Sequence, residues 1–194
     1  MTSIYFVRHA QPEHSWECDR TRPLTKDGLV DCDKVTELIK DIKIDCYFSS
    51  PYIRSFNTIK ECAKVHNKNI LTDERFRERT AGINSNNMEM FQKRWGNFDF
   101  CEEGGESLNM VQKRNVDALM EILEDYSDKK IVIGTHGTAL STILNFFEPS
   151  FSCNDYLRII DYMPYMIRLD FKGMDYGGKE ELLIVEKEFK GNKS

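Results

Sequence analysis

The feature that most constrains the fold of this chain is the alternation of short apolar runs, rich in β-branched residues, with longer amphipathic segments. Residues 4–7 and 130–134 have the composition of buried strands, and residues 27–42 between them carry an apolar stripe at helical spacing. Strands that alternate with helices predict an α/β fold with a mostly parallel central sheet. Because crossover connections share one hand, we expect helices on both faces, which makes a three-layer α/β/α sandwich.

The remaining elements are predicted from the same periodicities and from helix-start signals. Ser50 is expected to cap a helix whose first residue is Pro51, and Ser107 is expected to cap the next helix. Another helix is predicted at 138–147. Further strands are predicted at 45–48, 69–72, 166–171 and 182–186.

The length of 194 residues fits one domain spanning 1–194. Residues 83–104 interrupt the strand–helix rhythm with polar and aromatic side chains, so we interpret them as a small cap insertion over one end of the sheet. Its aromatic residues either line a substrate pocket or pack the insertion onto the sheet. They are Phe91, Trp95, Phe98 and Phe100.

Composition excludes several classes of protein. The net charge of −5 lacks the basic footprint of a general nucleic-acid binder, but it does not exclude one local cationic site. No stretch approaches the roughly 20 apolar residues of a membrane span, and the first residues do not resemble a signal peptide. The six cysteines are scattered without a CxxC pair, so we expect reduced thiols and a cytoplasmic protein. The oligomeric state stays open.

Polar residues follow three of the predicted strands directly. Arg8 and His9 follow the first strand, Arg54 follows the second by a few residues, and His136 and Gly137 follow the strand at 130–134. Because ligands bind beyond the carboxyl ends of parallel strands, these side chains are expected to meet at one edge of the sheet. Two arginines, two histidines and a helix amino terminus there predict an anion site, most naturally for phosphate.

A phosphate monoester suits such a site chemically. Its dianion repels nucleophiles, and arginine offers its oxygens a planar fork that keeps its charge. A neutral imidazole nitrogen can attack phosphorus, and neighbouring arginines favour that neutral form. The leaving alkoxide then needs a proton from a general acid, usually a carboxylic acid.

Five motifs, in order along the chain, resemble those of the histidine phosphatase superfamily, with its phosphoglycerate-mutase-like fold. They are Arg8-His9-Ala10, the segment Ser-Ser-Pro-Tyr-Ile-Arg-Ser at 49–55, Phe-Arg-Glu-Arg-Thr-Ala-Gly at 76–82, Gly105-Glu106-Ser107, and Gly-Thr-His-Gly at 134–137. Ala10 stands where the family has glycine. Ser15 stands where family mutases and many phosphatases carry asparagine, which weakens a mutase assignment more than a phosphatase one.

The resemblance implies roles for these residues. His9 would be the nucleophile that becomes phosphohistidine, and Arg8, Arg54 and His136 would bind the transferred phosphoryl group. Glu78 would be the proton donor, with Glu74 or Asp73 as the alternatives. Further substrate contacts are predicted at Gln11, Ser15 and Gly137. Glu106 and Ser107 fit a helix cap and pocket edge better than a catalytic pair.

The sequence therefore predicts a phosphatase that hydrolyses a phosphate monoester of a small metabolite through phosphohistidine. The family works without a metal or other cofactor, and this sequence has no HExxH or similar ligand cluster. The expected partner is the small phosphorylated substrate, with no nucleic acid and no membrane. The alternatives are phosphoryl transfer of the phosphoglycerate mutase type and a non-catalytic phosphate-binding protein on the same fold.

Overall fold

The computed structural model describes residues 1–83 and 87–187, and within them six strands form one sheet. The strands are β1 (Thr2–Arg8), β2 (Cys46–Ser49), β3 (Ile70–Thr72), β4 (Lys130–Thr135), β5 (Tyr162–Lys172) and β6 (Asp175–Glu186), in the order β3-β2-β4-β1-β5-β6. The pairs β3/β2, β2/β4 and β4/β1 are parallel, whereas β5 and β6 form an antiparallel hairpin that pairs with β1. The predicted mostly parallel sheet is confirmed.

The described part of the chain also forms six α-helices. They are α1 (Lys26–Ile39), α2 (Ile53–Val65), α3 (Met88–Gly96), α4 (Leu108–Asp125), α5 (Gly137–Phe147) and α6 (Cys153–Ile159). Short 3₁₀ turns lie at Asp19–Thr21 and Glu74–Phe76. The hydroxyl of Ser107 accepts the N–H of Met110, so the predicted cap of α4 is confirmed.

The predicted start of α2 is wrong. The helix begins at Ile53, after an extended Tyr52, and Pro51 lies before it. The Ser50 hydroxyl accepts the N–H of Tyr52 in the turn that precedes the helix, and it also bonds to the ring of His136. A serine whose side chain is used in these two contacts does not reach the free N–H groups of the first helical turn.

Two apolar layers enclose the sheet. Along β1, Ile4 and Phe6 point to the layer that contains α4 and α5, while Tyr5 and Val7 point to the layer that contains α1 and α2. All four are almost fully buried, as expected for a strand covered on both faces. These layers confirm the predicted α/β/α arrangement.

The insertion predicted at 83–104 contains α3, with residues 84–86 outside the described part of the chain. Its aromatic side chains pack on α6 and on each other. The ring centroids of Phe91 and Tyr156 lie 5.5 Å apart, those of Trp95 and Tyr156 lie 5.7 Å apart, and Trp95 meets Phe98 at 5.4 Å. The insertion thus packs against α6, a short helix that the sequence pattern does not predict.

All six cysteines are free thiols, as predicted. Among the described residues, the helices are too short or too polar to span a membrane.

Candidate active site

The carboxyl ends of β2, β4 and β1 lie side by side, because these strands are parallel neighbours in the sheet. Their ends open on a cavity of about 560 Å³ lined by Arg8, His9, Arg54, Glu78 and Gly137, among others. Five of the predicted site residues therefore share one cavity. His136 lies just behind its wall, with its ring centroid 5.2 Å from that of His9.

The ring of His9 is held in one orientation at the end of β1. Its Nδ1 lies 2.7 Å from the carbonyl oxygen of Ala10, which accepts only, so Nδ1 must carry the proton and Nε2 has the lone pair. Burial, followed by the charges of Arg54 and Arg8, keeps the pKa of His9 well below its usual value. A neutral ring with a free Nε2 is the form that attacks phosphorus.

Arg8 is buried and partly anchored by main-chain carbonyls. Its Nη1 donates to the oxygens of Ile159 and Tyr162, at the end of α6 and the start of β5. Burial lowers the pKa of Arg8. Because the ordinary pKa of arginine is very high, Arg8 still keeps its positive charge. Its Nε is buried with no hydrogen-bond partner among the described residues, which suits a ligand oxygen. Gly137 approaches this guanidinium closely, so a Cβ atom at that position would lie only 3.2–3.3 Å from its atoms.

Arg54 in the first turn of α2 is paired with a residue that the sequence reasoning missed. Its Nη1 lies 3.1 Å from a carboxylate oxygen of Asp19, and the same carboxylate lies 2.8 Å from Nη1 of Arg22. The guanidinium also lies over the ring of Tyr52, 5.1 Å from its centroid. No sequence signal marks Asp19, because its contact depends on how the segment before α1 folds over the sheet edge.

His136 is fully buried at the amino terminus of α5. Its Nε2 lies 2.8 Å from the Ser50 hydroxyl, and its Nδ1 has no partner among the described residues. Burial, then the charge of Arg54 and the nearby His9, hold the pKa of His136 well below its usual value. The two histidines are therefore both neutral and lie edge to face.

The carboxyl group of Glu78 is fixed at the start of α5. Its oxygens accept the main-chain N–H groups of Arg79, Thr138 and Ala139 at 2.8, 3.1 and 3.2 Å. The alternative proton donors lie elsewhere. Asp73 caps a 3₁₀ turn and pairs with Arg75, and Glu74 pairs with an exposed arginine. Of these three carboxyl groups, that of Glu78 lines the cavity.

Glu106 organises the loop that carries Glu78. It accepts hydrogen bonds from the guanidinium groups of Arg77 and Arg114 and from the N–H of Thr80. Burial raises the pKa of Glu106, but the bonds from Arg77 and Arg114 outweigh it and lower that pKa to about 2. Arg114 also donates to the carbonyl oxygen of Glu78. The sequence identified Glu106 as a pocket edge, and the structure places it behind that edge as a support.

Two predicted substrate contacts lie outside the cavity lining. The side chain of Gln11 accepts from the hydroxyl of Thr25, beside the start of α1, and the exposed Ser15 donates to Glu13. The structure adds Arg22, Arg79 and Tyr156 to the cavity lining.

The cavity is cationic within an acidic chain. Its lining contains four arginines and only two acidic residues, whereas the whole chain carries −5. Burial lowers the pKa of both histidines in this lining, His9 and His14, so the arginines supply the positive charge. A phosphate monoester dianion is the ligand that would balance it.

Comparison with known proteins supports the same interpretation. The YhfR protein of Bacillus stearothermophilus superposes with a TM-score of 0.75 at 18% identity, covering 100% of this chain and 98% of that one. A mycobacterial glucosyl-3-phosphoglycerate phosphatase gives 0.74 at 14% identity, covering 96% and 99%. The phosphoserine phosphatase of Entamoeba histolytica, solved with 3-phosphoglyceric acid, gives 0.72 at 20% identity, covering 94% and 100%. These likenesses are in the fold.

Among curated proteins, none matches the chain in sequence. The profile of the histidine phosphatase superfamily (branch 1), however, matches residues 4–160, which is most of the chain. The same stretch carries the arginines and histidines that the strand ends bring together. The chain belongs to the histidine phosphatase superfamily, branch 1.

Proposed function

We propose that this histidine phosphatase hydrolyses a phosphate monoester of a small metabolite, with His9 as the nucleophile. The observation that carries the proposal is the state of His9: a neutral, buried ring whose Nδ1 is tied to a carbonyl, so that Nε2 is free to attack. A protein that merely bound phosphate would gain more from a protonated imidazole, which is why this geometry favours catalysis over binding alone.

In the first step, Nε2 of His9 attacks phosphorus and the bond from phosphorus to the leaving oxygen breaks. Arg8, Arg54 and His136 hold the phosphoryl oxygens, and the N–H groups at the start of α5 stabilise the charge that develops on them. Glu78, carrying a proton, gives it to the leaving alkoxide. The product alcohol departs and His9 is left phosphorylated.

In the second step, water attacks the phosphohistidine. Glu78 takes a proton from that water, the phosphorus–nitrogen bond breaks, and its electron pair returns to Nε2 of His9. Inorganic phosphate leaves and Glu78 is again protonated. Hydrolysis requires that water reach the intermediate, and the cavity of about 560 Å³ has room for it.

We further propose that residues 1–194 form a single domain with the cap at 83–104, and that the protein works in the cytoplasm. Six free thiols suit that compartment. The relatives of similar fold act on phosphorylated small molecules, among them phosphoserine and glucosyl-3-phosphoglycerate, which supports a small metabolite as substrate.

The test is turnover of an aryl phosphate without added metal, together with phosphoglycerates assayed for hydrolysis and for isomerisation. We expect the wild type to release phosphate and His9→Ala to lose this activity. We also expect the wild type, but not His9→Ala, to carry a covalent phosphoryl label that is labile in acid and stable in alkali. His66→Gln is the matched control, because His66 lies at the end of α2, where it bonds to Tyr47. Glu78→Gln should slow turnover by about 10²- to 10⁴-fold.

Three results would contradict the proposal. If no ester is turned over, the protein is a phosphate-binding protein and not an enzyme. If phosphoglycerates are isomerised and not hydrolysed, the protein is a mutase. Activity that persists in His9→Ala would show that His9 is not the nucleophile. Normal turnover in Glu78→Gln would move the proton donor to another residue.

A further inference from the structure

The ring of Tyr52 contacts two of the three side chains that are proposed to hold the phosphoryl oxygens. Its centroid lies 5.1 Å from Cζ of Arg54 and 5.2 Å from the ring centroid of His136, which it meets edge to face at 73°. Both distances are within the roughly 6 Å over which a cation or an aromatic edge is attracted to a ring face. Tyr52 is half-buried and lines the catalytic cavity. One aromatic ring thus lies against both a cationic and a neutral ligand of the proposed phosphate site.

The orientation of Arg54 depends on contacts of two kinds. Along one edge, its Nη1 donates to the carbonyl oxygen of Asp19 and lies 3.1 Å from the carboxylate of the same residue. Contacts at one edge leave a planar guanidinium free to swing about that edge. The ring of Tyr52, over which the guanidinium lies, limits this swing, since the cation is attracted to the ring face. Asp19 and Tyr52 together therefore fix where the guanidinium of Arg54 lies in the cavity wall.

His136 is held by the same short segment of the chain. Its Nε2 lies 2.8 Å from the hydroxyl of Ser50, two residues before Tyr52. Its Nδ1 has no hydrogen-bond partner within the described ranges, so the tilt of the imidazole about the bond to Ser50 depends on packing. The ring of Tyr52 supplies part of that packing, and the ring of His9 supplies another part. A change at Tyr52 is therefore expected to alter the direction in which Nδ1 of His136 points.

The ring of Tyr52 starts from a firmly held main chain. Its N–H donates to the hydroxyl of Ser50. Its carbonyl oxygen accepts the N–H groups of Ser55 and Phe56, at 3.0 and 3.1 Å, in the first turn of α2. The guanidinium of Arg20 also lies over the ring, 5.7 Å from its centroid. A ring anchored in this way can hold the groups that lie against it and does not simply follow their movements.

We infer that Tyr52 is a positioning residue for phosphoryl transfer, whose ring keeps Arg54 and His136 aligned on the phosphoryl group. The inference rests on the proposed phosphatase function and adds a residue to it. Arg54 belongs to α2 and His136 precedes α5, so a ring that contacts both couples the positions of two separate elements. Phosphoryl transfer depends on positioning and on electrostatic stabilisation of the equatorial oxygens in the transition state. Misalignment should therefore slow catalysis more than it weakens binding of the substrate.

The test compares Tyr52→Leu, which removes the ring, with Tyr52→Phe, which keeps it, in the hydrolysis of an aryl phosphate. We expect Tyr52→Leu to lower kcat by about 10- to 100-fold and to raise KM by only about threefold, the pattern of an interaction made mainly in the transition state. Tyr52→Phe should recover most of the lost kcat, because both contacts use the ring and not the hydroxyl group.

Two inhibitors separate positioning from a general effect on the fold. Orthovanadate forms five-coordinate adducts that resemble the transition state, whereas inorganic phosphate resembles the product. In Tyr52→Leu, orthovanadate should lose about tenfold more affinity than inorganic phosphate does. If Tyr52→Leu fails to fold, Tyr52→Met, which has a similar volume and also lacks the ring, takes its place in both measurements.

Tyr176→Leu is the matched control. This half-buried tyrosine stacks on Phe147. It pairs with Phe171, which in turn pairs with Thr2 at the start of β1, the opposite end of the sheet from the cavity. Tyr176→Leu should keep the wild-type kcat, KM and inhibition constants, whatever its effect on the free energy of unfolding in urea.

Each outcome bears on one point. The wild-type kcat in Tyr52→Leu would overturn the inference, and a Tyr52→Phe variant as slow as Tyr52→Leu would overturn the role of the ring. Equal losses of affinity for orthovanadate and phosphate would contradict positioning in the transition state. If the wild type hydrolyses no ester, the proposed function fails. Calorimetric binding of inorganic phosphate then tests the ring separately: we expect weaker binding by Tyr52→Leu, and an affinity equal to that of the wild type would overturn the inference.

Discussion

Gly137 determines where the guanidinium of Arg8 lies. A Cβ atom added at Gly137 would be 3.2 Å from Nε and 3.3 Å from Cζ of Arg8, closer than most such contacts. Arg8 cannot move away freely, because its Nη1 is bonded to two carbonyl oxygens. The absence of a side chain at Gly137 is thus part of the geometry of the phosphate site.

We therefore expect Gly137→Ala to lower kcat/KM for an aryl phosphate by about 10- to 100-fold, since small misplacements of a positioning group have effects of that size. Steady-state kinetics measures it. The control is Gly96→Ala at the end of α3, where an added Cβ meets nothing within 4 Å and kinetics should stay as in the wild type. If Gly137→Ala has the kcat/KM of the wild type, the guanidinium of Arg8 shifts to make room for the added methyl group without a loss of activity.

Helix α4 depends on the residue that caps its amino terminus, Ser107. The Ser107 hydroxyl accepts a hydrogen bond from the N–H of Met110. Leu119 and Ile122 of the helix that follows are buried in the core. Replacing Ser107 by alanine should lower the free energy of unfolding by about 1 kcal/mol. Urea denaturation measures this. Ser15→Ala, at an exposed loop hydroxyl, should change it by less than about 0.5 kcal/mol, and an equal loss in both variants would contradict the capping role.

Elements with strong periodicity were predictable, and so was the meeting of Arg8, His9 and His136, because parallel strands end at the same edge. The start of α2 was not, since Ser50 contacts His136, which is 86 residues away in the sequence. Helix α6 has seven residues, too few for a clear period. The ion pair of Arg79 with Glu102 in the cap was equally hidden, because it forms only when the cap folds back on the loop after β3.

For the whole molecule, the two buried histidines couple stability to pH. Their pKa values are well below the unfolded value of about 6.5, so between the two values the unfolded chain binds protons that the folded chain does not. Stability is therefore full above about pH 6.5 and falls as the pH drops below it, by up to about 1.4 kcal/mol per pH unit for each histidine.

We expect urea denaturation between pH 7 and pH 5 to show this loss, and His9→Gln to have a shallower dependence on pH than the wild type. Ser15→Ala, which removes no titratable group, serves as the comparison and should keep the wild-type slope. The same slope in wild type and His9→Gln would mean that His9 accepts a proton in the folded protein, contrary to its buried position beside two arginines.

The pairing of β1 with β5 has a consequence for biosynthesis. The first strand of the chain lies between β4 and β5, and Arg8 at its end is held by carbonyl oxygens of residues 159 and 162. On the ribosome these partners are made late, so Arg8 emerges more than 150 residues before its supports. A nascent chain is thus expected to acquire its phosphate site only after β5 has been made and has docked beside β1.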